Sequence, residues 1–546
     1  MERAKPPGPV WPAGAGTGTV AVLLAVPAVP DSPGWLRRAS VLVTGEPLAP
    51  AHAVVLALAL LLVARGILLR RRAALAGVLA LIGLGLVAVL AGDDAPWRGP
   101  LLAAVLVALW LRRADYPVRP HPARVRTAAV VGGALIVGTA LGAVLVGGVA
   151  VGSVGRDLAS GLGATGAHIE GADWLPGVLA TLGGAGLLAL VLTLLAPDPA
   201  PAPGDDAERR RVALLVAHSG SDTLAPFALR RDKSYVFSPD GRAAIGYRVL
   251  FGIAAAGGDP VGDPASHRAA IAAFLELCRT SGWRPAVLGA RPELVPAWDG
   301  LRAIGVGDEV LLRPAGFALT GRRMRNVRQA VQRSVNAGVT TEVLAERDLS
   351  PGLRGKLLDV ARSSLGGAAE RGFSMNLDEL LTGRHPGTVV AVAYDRAGEP
   401  VGFQRYARAG NALSLDAMRR RPGGPNGVNE RLIAETLAYA ADRGLDVVSL
   451  NFAAFRTLLE TEDRNPLERA GYRAIHLLDP WIAVESLFLF NRKFRPDYQP
   501  RCVLFRAWTD LVPVAAALLA LEFGRTRPGH VAPVPEPEPA GRLGHL

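Results

Sequence analysis

The apolar residues of this chain crowd into its first 196 positions, and that crowding limits the possible folds more than any motif does. A helix needs about 20 apolar residues to span a bilayer. Ala51–Leu69 and Ala73–Ala91 have that length, Thr127–Gly152 exceeds it and can tilt, and Gly177–Ala196 meets it again. Pro100–Leu111 is short, but Trp97 and Trp110 flank it as interfacial anchors. Thr17–Val29 is a weaker first candidate, and a cleaved signal peptide is its rival reading. Residues 1–196 therefore read as a membrane domain of five to six transmembrane helices.

Loop charge orients that block. Arg70, Arg71 and Arg72 share one short loop, and Arg112, Arg113, Arg119, Arg124 and Arg126 share another with a single acid, Asp115. The alternate loops carry Asp93 and Asp94, then Asp157, Glu170 and Asp173, against Arg98 and Arg156. Basic loops stay in the cytoplasm. The arginine-rich loops, and everything after Ala196, are therefore expected there; Arg37 and Arg38 oppose this modestly.

Residues 197–209, rich in Pro and Asp, read as a linker. The composition beyond it is that of a globular protein. Tyr235–Phe237, Ala286–Leu288, Thr388–Val392 and Val447–Leu450 read as strands, with helices such as His267–Arg279 and Glu430–Arg443 between them. That alternation predicts an α/β or α+β domain. After residue 510 a last apolar helix and a Pro-rich tail are expected, spanning 511–546.

The net charge of +12 beside a half-hydrophobic composition suggests a membrane protein or a nucleic-acid binder, and two cysteines, Cys278 and Cys502, exclude a disulfide scaffold. Walker A, GxSxG, HExxH and CxxC patterns are missing, and the nine histidines have no metal-ligand spacing. No metal and no cofactor are expected.

Five stretches carry chemistry. Gly321–Gly338 holds Arg322, Arg323, Arg325, Arg328 and Arg333 without an acid, and helical spacing puts Met324, Val327, Val331 and Val335 on one apolar face. A solvated helix face is the plain reading; a polyanion such as RNA phosphate or anionic lipid is the functional one. Gly257–Pro264, with Asp259 and Asp263, reads as a rigid turn before a helix, with Asp263 as its cap. Ser414–Glu430 runs from a strand through Asp416, Arg419, Arg420 and Arg421 to a Pro/Gly loop with Asn426, then to a helix starting near Asn429 and Glu430. That is a natural anion site, although an Asp416–Arg419 pair alone would be structural. Ser449–Arg456 carries Asn451 and Arg456 out of a strand, and Phe490–Arg501 places Lys493, one of four lysines, among aromatics.

These stretches, with DKSYVFSPDGRAAIGYRV (which contains Lys233) and ERGFSMN, occur in an order that resembles the lysylphosphatidylglycerol synthetase family, the MprF-like phosphatidylglycerol aminoacyltransferases. The likeness runs from about Arg230 to Arg506 and is greatest to the actinobacterial form, which is fused to a lysyl-tRNA synthetase. The resemblance implies two tandem acetyltransferase-like (GNAT) lobes, expected over 210–335 and 336–510. It implies transfer of an aminoacyl group, lysyl by family default, from aminoacyl-tRNA to phosphatidylglycerol at the cytoplasmic membrane face. That transfer modifies lipid charge and resistance to cationic peptides. By motif it makes Asp416, Arg419, Asn451, Arg456 and Lys493 catalytic. Asp416 would act on the lipid hydroxyl or bind the α-amino group. Lys233, Asp259, Arg420, Asn426, Asn429, Glu430 and Arg501 would bind substrate, and the arginines at 322, 323, 325, 328 and 333 would hold tRNA. This chain has no fused synthetase, so a separate enzyme must supply its donor. It also has fewer spans than family members that flip the lipid, and Tyr498 stands where the family has Trp. Two other classes stay open: an aminoacyltransferase for another lipid or a cell-wall precursor, and a non-catalytic membrane-anchored lipid or RNA binder. Self-association stays open as well.

Overall fold

The computed structural model describes residues 10–26, 29, 32–44, 50–91, 97–147, 186–220, 222–366, 376–385, 387–454 and 489–523. The chain divides into two compact units, Met1–Ala200 with Leu275–Arg284, and Pro201–Phe274 with Pro285–Leu546.

Unit 1 is helical. Its long runs rich in Ala and Leu, both good helix formers, give α1 (Trp11–Ala25), α2 (Gly34–Thr44), α3 (Pro50–Leu68), α4 (Arg72–Ala91), α5 (Arg98–Leu111) and α6 (Pro122–Gly147). Among the described residues one helix, α4, is long and apolar enough to cross a membrane, while Trp11–Ala25, Ala53–Leu68 and Arg98–Leu111 are shorter apolar helices. Five to six spans were expected; residues 148–152 of Thr127–Gly152 and 177–185 of Gly177–Ala196 lie outside the described residues. The two arginine-rich loops meet. Arg71 and Val118 form a parallel β-bridge. Arg72 N–H donates to the Val118 carbonyl at 2.8 Å, and Arg70 Nη1 donates to the Asp115 carbonyl at 3.2 Å.

Unit 2 opens with α7 (Asp206–Ala217). The Asp205 carboxylate accepts from Glu208 N–H at 2.8 Å, and Glu208 returns the bond to Asp205 N–H at 3.1 Å. This capping box starts the helix inside the stretch expected to be linker. The strands are β1 (Ser234–Phe237), β2 (Ala243–Leu250), β3 (Ile253–Gly257), β4 (Val261–Gly262), β5 (Arg284–Ala290), β6 (Arg302–Leu312), β7 (Thr340–Ala345), β8 (Val389–Tyr394), β9 (Pro400–Ala409), β10 (Ala412–Arg420), β11 (Val447–Ala454) and β12 (Asp497–Phe505). They join into one sheet in the order β1-β2-β3-β5-β12-β6-β11-β10-β9-β8-β7, with β4 on β2. The remaining helices are α8 (His267–Ser281), whose residues from Leu275 on fall in unit 1, α9 (Arg325–Asn336), α10 (Pro351–Leu365), α11 (Val428–Asp442) and α12 (Leu511–Phe523).

Two halves are visible in this sheet. The second is the antiparallel run β7-β8-β9-β10, followed by α11 and by β11, which returns parallel to β10. Strand β12, expected to belong with the second half, pairs on both sides with strands of the first, Val503 with Leu288 of β5 and with Ile304 of β6. Strand β6 in turn pairs with β11, so the halves share one uninterrupted sheet. The largest core lies beneath α9 and α11, where Met324, Val327, Ile433 and Leu437 pack on Leu413, Leu415, Val448 and Phe494.

Candidate active site at the parting of two strands

Strands β10 and β11 pair in parallel only over Ala412–Ser414 and Val447–Ser449. Beyond these residues they part. β10 stays on β9 through a bulge between Leu415 and Ala417, and β11 stays on β6 with a register shift between Ser449 and Phe452. Both irregularities fall at the same level, so the sheet opens there.

Asn451 bridges the opening. It is one of the few non-glycine residues at positive φ, +75°, a conformation Asn tolerates better than most side chains. Its Nδ2 donates to the Leu415 carbonyl at 2.9 Å, across from the other strand. Its backbone N–H donates to Ser449 Oγ at 3.0 Å, and that hydroxyl donates to Glu309 Oε1 at 2.6 Å. Glu309 also accepts from Thr223 Oγ1 and from Arg501 Nε at 3.1 Å. Arg501 is buried, donates to the Gly289 carbonyl at 3.2 Å, and stands 3.5 Å from Asp222 and 3.8 Å from Asp259. Asp259 accepts from Arg291 N–H and Nε at 3.1 and 2.9 Å. Burial, then the neighbouring Asp222, pushes its carboxyl up to about 6. Arg501 and Asp259, expected to touch substrate, are thus parts of a buried charge network that ends on Asn451.

Asp416 occupies the bulge of β10, and its side chain is fully buried. Oδ2 accepts from Arg405 Nη1 and Oδ1 from Leu377 N–H, both at 2.6 Å. Arg405, on the adjacent β9, also donates to Glu346 through Nε at 2.5 Å and Nη2 at 3.2 Å. Burial raises the Asp416 carboxyl, and Arg405 opposes the rise. Two expectations change. The partner of Asp416 is Arg405 rather than Arg419, because the bulge turns Asp416 toward the neighbouring strand. Both oxygens are hydrogen-bonded in the interior, so Asp416 presents no unengaged carboxylate oxygen to the opening. Arg419 is half-buried and donates to the Met418 carbonyl at 3.0 Å.

The first turn of α11 gathers three further expected residues. Gln404 of β9, fully buried, donates to the Asn429 carbonyl at 3.1 Å. Asn429 Oδ1 is buried without a hydrogen-bond partner among the described residues. Glu430 accepts from Lys493 Nζ at 3.1 Å, and that ammonium stands 4.9 Å from the Phe490 ring centre. Gly427 precedes the helix at φ +88°, and no side chain caps it. A Cβ there would run into the Ala330 carbonyl, so the start of α11 is seated on the backbone of α9. Arg420, at the end of β10, and Asn426, in the loop before the helix, are exposed.

On α9 the buried positions are Met324 (in the turn leading into the helix), Val327, Ala330 and Ser334. Val335, expected on that apolar face, is exposed, because the buried stripe drifts onto Ser334 in the last turn. Arg322, Arg323, Arg325, Arg328 and Arg333 are all exposed, and Arg328 Nη1 donates to the Leu319 and Gly321 carbonyls at 2.6 and 3.0 Å. Lys233 is not brought to the opening. It is fully buried in the first half with its stem over Gly246, and burial lowers its ammonium to about 7. Arg456 lies outside the described residues.

The family described as phosphatidylglycerol lysyltransferase, C-terminal, matches residues 212–505. The chain belongs to this family. It is 40% identical over 372 residues to an MprF-like domain protein of Mycobacterium tuberculosis, covering 66% of this chain and 75% of that one. It is 38% identical over 349 residues to a lysylphosphatidylglycerol biosynthesis bifunctional protein of Mycobacterium ulcerans, and spans 31% of that protein's length. Among solved structures, L-PGS from Bacillus licheniformis superposes with a TM-score of 0.52 at 20% identity, over 60% of this chain and 99% of that one. A lysylphosphatidylglycerol synthetase C-terminal domain from Agrobacterium fabrum gives 0.52 at 23% identity, over 59% and 99%. At such identities the structures speak for the fold, and unit 2 resembles the GNAT-like fold of this synthetase family.

The motifs singled out from sequence did not include Arg405, Glu346, Glu309 or Gln404, and Ser449 stood in one of them without a role. A signal for two of them exists: Gln404 and Arg405 follow the apolar run PVGF in a strand, PVGFQRYARA, that is buried everywhere except at Arg408.

Proposed function

We propose that this chain is an aminoacyl-tRNA-dependent phosphatidylglycerol aminoacyltransferase, lysyl being the group the family resemblance favours. The acceptor's glycerol hydroxyl oxygen attacks the ester carbonyl carbon of the aminoacyl-tRNA. The bond to the ribose oxygen breaks, and that oxygen leaves with the proton. One ester replaces another, so the balance needs neither ATP nor a metal. The observation that carries this reading is the parting of β10 and β11, bridged by Asn451 in a conformation held from beneath by Ser449 and Glu309. Such an opening can admit an acyl group between two strands and offer it polar contacts.

Lys493 and Glu430 stand beside the uncapped start of α11, whose backbone N–H groups suit a phosphate or a developing oxyanion. In this reading Lys493 binds a phosphate of the donor or acceptor. Asn451 touches the acyl ester, and Asp416 and Arg501 position the strands. The exposed arginines of α9 hold tRNA phosphates. A lysylated lipid gains positive charge, which would weaken attraction of cationic peptides. Unit 1 would act as a multi-pass anchor in the cell membrane.

Expression in a host lacking aminoacyl lipids, followed by mass spectrometry of its lipids, tests the reading. A new species at the mass of phosphatidylglycerol plus lysyl is expected. Good expression with no new aminoacylated lipid would overturn it. Purified chain supplied with lysyl-tRNA and phosphatidylglycerol vesicles tests the donor in the same way.

A further inference from the structure

The last helix of unit 2 has two apolar faces where a helix on a water-facing domain should have one. On α12 the inner stripe is Val514, Ala517, Leu518 and Leu521, which packs with Ile253, Ala255, Ala286, Val503 and Phe505 of the sheet. The outer stripe, at the same helical spacing, is Val512, Ala515, Ala516 and Leu519, and all four are exposed. Val512 is 77% exposed. Glu522 is the helix's single charge. A helix that is apolar all round belongs in a core or in lipid.

Two more exposed apolar side chains are anchored in the same packed cluster. Phe251, 74% exposed, occupies the turn between Leu250 and Ile253 at φ +52°, a strained place for an aromatic residue. Trp508, 59% exposed, has its ring 5.5 Å from that of buried Phe505. The surrounding charge is mixed, with Asp510 and Glu522 in the same stretch as Arg506. Arg302 pairs across the sheet with Phe505 and stands 5.8 Å from the Trp508 ring, and Arg506 is exposed beside it. Asp510 is the one acid from Arg506 through Leu521.

We propose that this tip, formed by Phe251, Trp508, Val512 and Leu519 with Arg302 and Arg506 around it, inserts into the headgroup–acyl boundary of an anionic bilayer. The residue types fit that occupant. Tryptophan favours the interface, the aliphatic stripe enters the acyl region, and the guanidinium groups meet lipid phosphates. Insertion would hold the catalytic unit against the surface that presents its acceptor.

The experiment uses the full chain in phosphatidylglycerol-rich proteoliposomes, with Cys278→Ala and Cys502→Ala as background. A nitroxide is attached at Val512→Cys, at Phe251→Cys or at the exposed reference Arg347→Cys. Collision rates with dissolved oxygen and with a water-soluble nickel chelate are then compared. At 512 and 251 oxygen should exceed the chelate several-fold relative to the reference, and Arg302→Ser with Arg506→Ser should lower that ratio. Three outcomes overturn the proposal. Chelate access like that at 347 would mean the tip stays in water. Shielding from both reagents would mean that protein, either residues 524–546 or a second copy, covers it. An unchanged ratio in purely zwitterionic vesicles would remove the arginines from it. The readout is depth, not turnover. A chain that inserts but makes no lipid product leaves this proposal standing and defeats the previous one.

Discussion

Asp416, Arg405 and Glu346 form a chain of buried charges in which the middle member serves both ends. Removing one carboxylate leaves a buried guanidinium half-paired, a change that costs about 3–5 kcal/mol in comparable sites. Asp416→Asn should therefore lower the unfolding midpoint sharply, along with any activity. An unchanged midpoint with activity abolished would instead return Asp416 to direct contact with substrate. His385 gives a second test. Burial, then Arg405, Arg231 and Arg384, push its imidazole down from 6.5 to about 3. The folded chain then holds that proton less tightly than the unfolded one. Stability is complete above pH 6.5 and falls as pH drops toward 3. Between pH 7 and pH 5 this one group should cost about 2 kcal/mol, and His385→Gln should flatten that part of the denaturation profile. The sequence pointed to Asp416 but not to its partner. Spacing along β10 suggested Arg419, whereas Arg405 reaches it only through the pairing of β9 with β10, a relation invisible in linear order.

At the scale of elements, the arginine helix and the Pro/Gly loop were legible separately, and their meeting was not. Helical spacing placed Met324, Val327 and Val331 on one face. It overshot at Val335, because the core the helix rests on ends at Ser334. Nothing in the sequence said that Gly427 would sit on Ala330. Gly427→Ala adds both left-handed strain and a clash with that carbonyl, and should destabilise the chain by at least about 2 kcal/mol. Urea denaturation reads this directly. Arg322→Ala with Arg325→Ala should leave stability unchanged, since both side chains are exposed, while weakening tRNA binding. The slope of log affinity against log salt should shrink by about 1 for each phosphate that is no longer neutralised. An unchanged slope would assign this face to solvent.

At the scale of the whole molecule, composition suggested a division after residue 196; unit 1 runs to Ala200 and also takes in Leu275–Arg284. The continuous sheet was not readable, because strand order depends on pairings between residues far apart in sequence. In unit 1 the bridge between Arg71 and Val118 brings the two arginine-rich loops together. Membrane-impermeant maleimide on intact cells checks the orientation. Asp94→Cys should label from outside, and Arg119→Cys only after lysis.

Strand β12 has a consequence in time. Of the described strands it is the last to leave the ribosome, yet it lies between β5 and β6, made about two hundred residues earlier. Until Asp497–Phe505 is synthesised those two strands have no common neighbour, and Arg501 is not there to neutralise Glu309. The first half must therefore wait, open-edged, for the end of the chain. Such late, long-range closure slows folding and leaves strand edges exposed to misassembly. A nascent chain thus cannot complete its charge network, or the Asn451 bridge that depends on it, before the whole catalytic unit has been made.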